Sequence, residues 1–190
     1  APYWVSGGLQ DNGSWGAPNR KRGTRGPVNS DWLRIGGGDG FICRADPEDP
    51  YTVYCEMQGG RIWRVNMKTG ARYSLRPPGK DLKFNWKTPY ALSPHNSGIF
   101  YCAGNYAFQS LNRGANLQRI SPKLGRTDRG TATALAESPR KSGVIWAGTD
   151  DGALWLTRDG GRAWTNLVEK VGLPEPFHVA SIEPSRFADG

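Results

Sequence analysis

The chain has 190 residues, with 25 Lys and Arg against 17 Asp and Glu and a formal net charge of +8. No apolar run approaches the ~18 residues of a membrane span, and no cationic segment leads into an apolar stretch as in a signal peptide. Three cysteines without metal-ligand spacing exclude a disulfide scaffold and outline no metal site, so neither metal nor cofactor is expected, while eight tryptophans point to a folded core.

Residues 3 to 35 read as the later strands of a first unit. They are divided by a turn at Gln10-Asp11-Asn12-Gly13 and by a loop over 16 to 30 rich in Gly, Pro and Asn. Arg20, Lys21, Arg22 and Arg25 cluster in that loop. No aromatic residues lie between them and no nucleic-acid-binding fold is evident, so they read as a solvated surface and nucleic acid is not an expected partner.

Residues 40 to 76, 88 to 121 and 131 to 168 supply three further units, and 178 to 190 starts another. Each unit has an apolar stretch, then an acidic residue or Ser, then Pro and a short polar turn. The prolines are Pro47, Pro94, Pro139 and Pro184, spaced by 47, 45 and 45 residues. The third unit resolves into four short runs: Ala132–Ala136, Val144–Gly148, Ala153–Thr157 and Ala163–Leu167, with turn signals at Asp150-Asp151-Gly152 and Asp159-Gly160-Gly161. Four short strands recurring at this period predict an all-β fold of β-propeller blades. The whole chain reads as one propeller domain of about four blades. It starts and stops part-way through a blade, so an arc of a larger ring is expected. The alternative is that the two partial blades combine to close a small ring.

Thr157-Arg158-Asp159-Gly160-Gly161-Arg162-Ala163-Trp164 fits Ser/Thr-x-Asp-x-Gly-x-x-Trp. A degenerate copy lies 47 residues earlier at Ser110, Asn112, Gly114 and Leu117, and a vestige spans Asn66 to Gly70. The pattern resembles the Asp-box, or BNR repeat, of sialidases, xyloglucan hydrolases and sortilin-like proteins. Longer strings, including Gly8-Leu9-Gln10-Asp11-Asn12-Gly13-Ser14-Trp15, Gly36-Gly37-Gly38-Asp39-Gly40-Phe41, Phe84-Asn85-Trp86 and Leu92-Ser93-Pro94-His95-Asn96, are similar to those of large secreted bacterial propeller proteins labelled sortilin-like or glycosyl hydrolase, BNR repeat. The resemblance covers essentially the whole chain. It implies an extracellular or periplasmic location and a structural role for Thr157, Asp159, Gly161 and Trp164.

Propeller strand order puts the loops after each second strand on one face, together with the loops that lead into each new blade. Asp11, Asn12, Asp39, Asp150 and Asp151 fall on that face, as do Trp86 and the approach to His178. Paired carboxylates beside an aromatic platform suit a sugar: one acid protonates the leaving oxygen while the other activates water. The opposing reading is that Asp-Asn-Gly and Asp-Asp-Gly are ordinary hairpin turns. Oxygen chemistry at Asp150-Asp151 would suit Ca²⁺, but the ligands are too few. His178 starts a predicted inner strand, as a functional acid/base or a hydrogen-bonded core histidine, and His95 sits in a turn. Cys43 and Cys55 flank the Asp46–Pro50 turn, and hairpin geometry decides whether they meet.

The expected function is recognition, with a rigid loop face binding a protein or a glycan. The rivals are a glycoside hydrolase using Asp39 with Asp11, Asp150 or Asp151, and a purely structural arc. The expected partners are the remaining blades of a parent propeller, or other chains covering its open edges.

Overall fold

The computed structural model describes residues 3–23, 26–172 and 177–188. It divides into two compact units, Ala1–Leu75 and Arg76–Gly190. Each unit is built from two antiparallel sheets in which spatial order follows chain order, the arrangement of propeller blades. Among the described residues no helix is long and apolar enough to cross a membrane.

In the first unit, β1 (Trp4–Leu9), β2 (Gly13–Pro18) and β3 (Leu33–Gly36) form a three-stranded sheet. A four-stranded sheet follows: β4 (Gly40–Ala45), β5 (Thr52–Met57), β6 (Arg61–Asn66) and β7 (Arg72–Ser74). Ile35 of β3 joins Val53, Cys55 and Val65 of β5 and β6 in a core shared by the two sheets, with Cys43, Trp63 and Met67 packed against it. The two sheets approach closely at Gly8 and Gly40. A Cβ on Gly40 would stand 2.3 Å from the Gly13 carbonyl oxygen, so only glycine fits.

The second unit repeats the four-stranded pattern twice. Its first sheet is β8 (Tyr90–Leu92), β9 (Phe100–Ala103), β10 (Ala107–Ser110) and β11 (Gln118–Arg119). Its second is β12 (Ala132–Glu137), β13 (Ile145–Thr149), β14 (Leu154–Thr157) and β15 (Thr165–Asn166), followed by the single turn α1 (Val168–Val171). Ala103, Ala107, Leu124, Ala132 and Ala147 form a core of small side chains capped by Trp155 and Trp164. Tyr90 stacks on Phe100 with ring centroids 5.8 Å apart.

The proline-marked turns share one construction. Asp46 Oδ1 accepts the amides of Glu48 and Asp49, while the Ser93 hydroxyl accepts that of His95. The Ser138 hydroxyl accepts those of Arg140 and Lys141. These Asx- and Ser-turns are why an acidic residue or Ser precedes Pro47, Pro94 and Pro139. A backbone bond then closes each hairpin: Asp46 N–H to Thr52, Ser93 N–H to Ile99 and Ser138 N–H to Val144, at 2.8–3.0 Å.

One expectation needs correction. Residues 177–188 form no strand. Instead Val179 is buried, its amide donates to the Thr149 carbonyl, and its carbonyl accepts the Thr133 hydroxyl. None of the eight tryptophans is fully buried, and Trp4, Trp32 and Trp86 are exposed. The fully buried rings are Tyr54, Tyr90, Phe100 and Tyr101 instead. Indoles this large suit the margins of thin blades, where the N–H reaches a carbonyl.

Candidate functional site

Of the aspartates singled out in the sequence, Asp39, Asp150 and Asp151 hold loops through their carboxylates. In the first unit Asp39 is buried, and its Oδ1 accepts the Asp11 amide at 2.8 Å. Its own amide donates to Gln58 Oε1 at 2.9 Å. Asp11 is exposed, with φ 63°, which suits the turn between β1 and β2. Asn12, also exposed, donates from its side chain to the Gln10 carbonyl, and its own carbonyl accepts the Trp15 indole N–H at 2.7 Å. The structure thus brings Asp11 and Asp39 together, but through a backbone N–H and one carboxylate.

In the second unit Asp150 Oδ1 accepts the Thr131 amide at 2.8 Å. Its Oδ2 accepts the Thr131 hydroxyl at 2.9 Å and the Asn85 side-chain N–H at 3.0 Å. Asp151 Oδ2 accepts the Thr127 amide at 2.7 Å and hydroxyl at 3.0 Å, and its Oδ1 accepts the Thr149 hydroxyl at 2.6 Å. Partial burial pushes the Asp151 carboxyl up, but Thr149, Thr127 and Arg126 together hold it below the usual carboxylate range. Both carboxylates are surrounded by N–H and O–H donors. Among the described residues no group of three or more His, Cys, Asp or Glu could hold a metal ion.

Trp86 is 59% exposed. The loop beneath it is anchored on both sides. Asn85 donates to Thr131 Oγ1 at 3.1 Å as well as to Asp150, and the buried Thr88 hydroxyl donates to the Asn85 carbonyl at 3.0 Å. The indole therefore stands out from a fixed backbone. His178 is exposed and belongs to no strand, which corrects the core-histidine reading, one of the two given for it, and the predicted inner strand. His95 Nε2 lies 2.8 Å from the Ser138 carbonyl and joins two turns. Of the basic cluster, Lys21 pairs with Asp31 at 2.5 Å, and Arg25 lies outside the described residues.

The turn over 157–164 is a self-contained hydrogen-bond unit. The buried Thr157 hydroxyl donates to Asp159 Oδ1 at 2.8 Å and accepts the Gly161 amide at 2.9 Å. Asp159 Oδ1 also accepts the Ala163 amide at 3.0 Å. The Ala163 amide, and after it the Thr157 hydroxyl, hold the Asp159 carboxyl below its ordinary range. Gly161 has φ 97°, and the Trp164 indole donates to the Ile120 carbonyl at 2.6 Å. At the degenerate copy the Ser110 hydroxyl likewise accepts the amides of Asn112 and Gly114, at 3.0 and 3.1 Å. At the vestige, Asn66 Oδ1 accepts the amides of Lys68 and Thr69.

Asp150 stands out in the sequence as an acid, but its role as a loop clamp, shared with Gln58 and Asn105, does not. Gln58, Asn105 and Asp150 follow the second strands of their sheets. Each side-chain oxygen accepts an amide from the loop leading into the first strand of the same sheet: Asp39, Lys83 and Thr131 respectively. With Asp11 they are spaced by 47, 47 and 45 residues. That is nearly the spacing of the prolines and was a usable signal.

No family model matches the chain. A curated relative is the oligoxyloglucan-reducing end-specific xyloglucanase of Emericella nidulans, 28% identical over 147 residues, covering 68% of this chain and 18% of that protein. Among solved structures, the extracellular domain of a one-component system from B. thetaiotaomicron is similar with a TM-score of 0.61 at 13% identity, covering 94% of this chain and 23% of that one. A GH74 xyloglucanase from Xanthomonas campestris follows with a TM-score of 0.53 at 14% identity, covering 92% and 33%. An ancestral GH74 enzyme gives 0.51 at 17% identity, covering 68% and 18%. The chain spans less than a fifth of the curated relative it matches. Its antiparallel sheets, joined in chain order, are blades of a β-propeller.

Proposed function

We propose that the chain is a glycan-recognition segment of an extracytoplasmic Asp-box β-propeller, with the Trp86 loop as its contact surface. The carrying observation is the 59% exposed indole of Trp86 on a loop fixed by Asn85, Thr88, Thr131 and Asp150. An exposed, preorganised aromatic ring offers a pyranose its apolar face at little entropic cost. The Thr157–Trp164 hydrogen bonds support the Asp-box reading. The relatives named as xyloglucanases support a carbohydrate ligand and a location outside the cytoplasm. Further blades or other chains would cover the outer edge of β1.

The rival reading is glycoside hydrolysis, favoured by the name of the curated relative. It would rest on Asp11, the exposed member of the four aspartates, because Asp39, Asp150 and Asp151 already accept two or three hydrogen bonds each or are buried. Titration calorimetry with xyloglucan oligosaccharides, alongside a reducing-sugar assay, separates the readings. Recognition predicts saturable binding without sugar release, weakened at least about tenfold in Trp86→Ala with an unchanged melting temperature. Sugar release that disappears in Asp11→Asn would establish the hydrolase. Absence of any glycan binding would sink both.

A further inference from the structure

We infer that Cys43 and Cys55 are a thiol pair that closes into a cross-strand disulfide on meeting a low-molecular-weight disulfide such as oxidised glutathione. The register of β4 and β5 sets the two residues directly opposite one another. Opposed residues of an antiparallel ladder point to one face and have Cα atoms about 4.5–5.5 Å apart. That lies within the ~4.4–6.8 Å a disulfide requires. The packing agrees, since both side chains belong to the cluster built on Ile35, Val53 and Val65. Both are free thiols.

The remaining cysteine is a natural control. Cys102 is fully buried, and its partners across the ladder are Tyr90 and Phe108. No thiol stands opposite it.

Access sets the order of events. Cys43 is half-buried and Cys55 is buried. The Cys43 thiolate attacks one sulfur of the glutathione disulfide, forming a mixed disulfide and expelling a glutathione thiolate, which takes up a proton. The Cys55 thiolate then attacks the Cys43 sulfur and expels the second glutathione. Two protein thiols are oxidised, one glutathione disulfide is reduced to two thiols, and the two protein protons end on the leaving groups. Burial raises the Cys43 thiol and pushes that of Cys55 up to about 12. Closure is therefore slow at neutral pH and accelerates as pH rises. The bridge would tie Gly40–Ala45 to Thr52–Met57 across the turn held by Asp46.

The test uses the whole chain. Reduced protein is incubated with oxidised glutathione at neutral and mildly alkaline pH, then followed by thiol titration, intact mass and peptide mapping. The expected result is a fall from three thiols to one, loss of the mass of two hydrogens, and a cross-linked peptide joining Cys43 to Cys55. Closure should be faster at the higher pH, and the bridged protein should melt at a higher temperature. Dithiothreitol should restore all three thiols. A thiol count that stays at three, a stable glutathione adduct on Cys43, or a cross-link through Cys102 would each overturn the inference. All of these readouts use the unmodified sequence.

Discussion

The buried Asp39 carboxylate accepts the backbone N–H of Asp11 at 2.8 Å. One acidic residue thereby positions the turn that carries another. Of two acids that the sequence offers as a catalytic pair, Asp39 clamps the turn that carries Asp11.

Asp39→Ala should therefore destabilise the fold by about 1–2 kcal/mol, because the Asp11 amide loses its acceptor. Asp39→Asn keeps a side-chain oxygen and should cost less. Urea unfolding of the two variants measures the difference. Equal stability of Asp39→Ala and the parent would remove the clamp.

Thr157→Ala deletes the hydroxyl that serves both Asp159 and Gly161. A loss of about 2 kcal/mol is expected, with Thr157→Ser close to the parent. Ser110 has the corresponding place in the preceding sheet, accepting two amides, so Ser110→Ala should behave similarly. Should both alanine variants melt with the parent, the turns would be held by something other than these hydroxyls.

Gly40→Ala places a Cβ 2.3 Å from the Gly13 carbonyl oxygen. Backbone cannot yield as a flexible side chain does, so a loss of about 3 kcal/mol is expected. Gly7, in the neighbouring sheet, has open space around its missing Cβ. Gly7→Ala should stay within about 0.5 kcal/mol of the parent. Similar stabilities for the two variants would mean the sheets do not approach at Gly40.

The depressed pKa of Asp151 gives an acid dependence. Its folded value lies below the unfolded value of about 3.9. Its stabilising contribution is then complete above that unfolded value and is lost as pH falls through the folded one. Melting temperature should decline on acidification below about pH 4, and less steeply in Asp151→Asn. Parallel acid profiles for the two proteins would contradict the hydrogen bonds assigned to this carboxylate.

The repeat was legible because each copy needs the same local chemistry. A side-chain oxygen before Pro47, Pro94 and Pro139 caps the same turn amides each time. Patterned turns announce themselves in sequence because a few residue types satisfy them. The last copy differs: Ser185, after Pro184, accepts the amides of Phe187 and Ala188, and no strand forms before it. Strand formation there depends on neighbours that a local pattern cannot report. The loop face was legible only in part. Asp11, Asp39, Asp150 and Asp151 stood out as acids, whereas the occupation of Asp39, Asp150 and Asp151 by Thr127, Thr131, Thr149, Asn85 and backbone amides depends on contacts up to 65 residues apart in sequence. Charge is visible in a sequence, but saturation of its hydrogen-bonding capacity is a property of the folded chain.

The backbone bonds that close the hairpins at Asp46, Ser93 and Ser138 each span only about six residues. Every strand in these sheets also pairs with its immediate predecessor or successor along the chain. Loops this short cost little entropy to close. Each sheet can therefore nucleate at its own turn, without waiting for remote segments, and folding rates should be set by separate nuclei of short contact order. Such a chain can gain or lose a whole repeat during evolution while the turns inside every other copy remain intact.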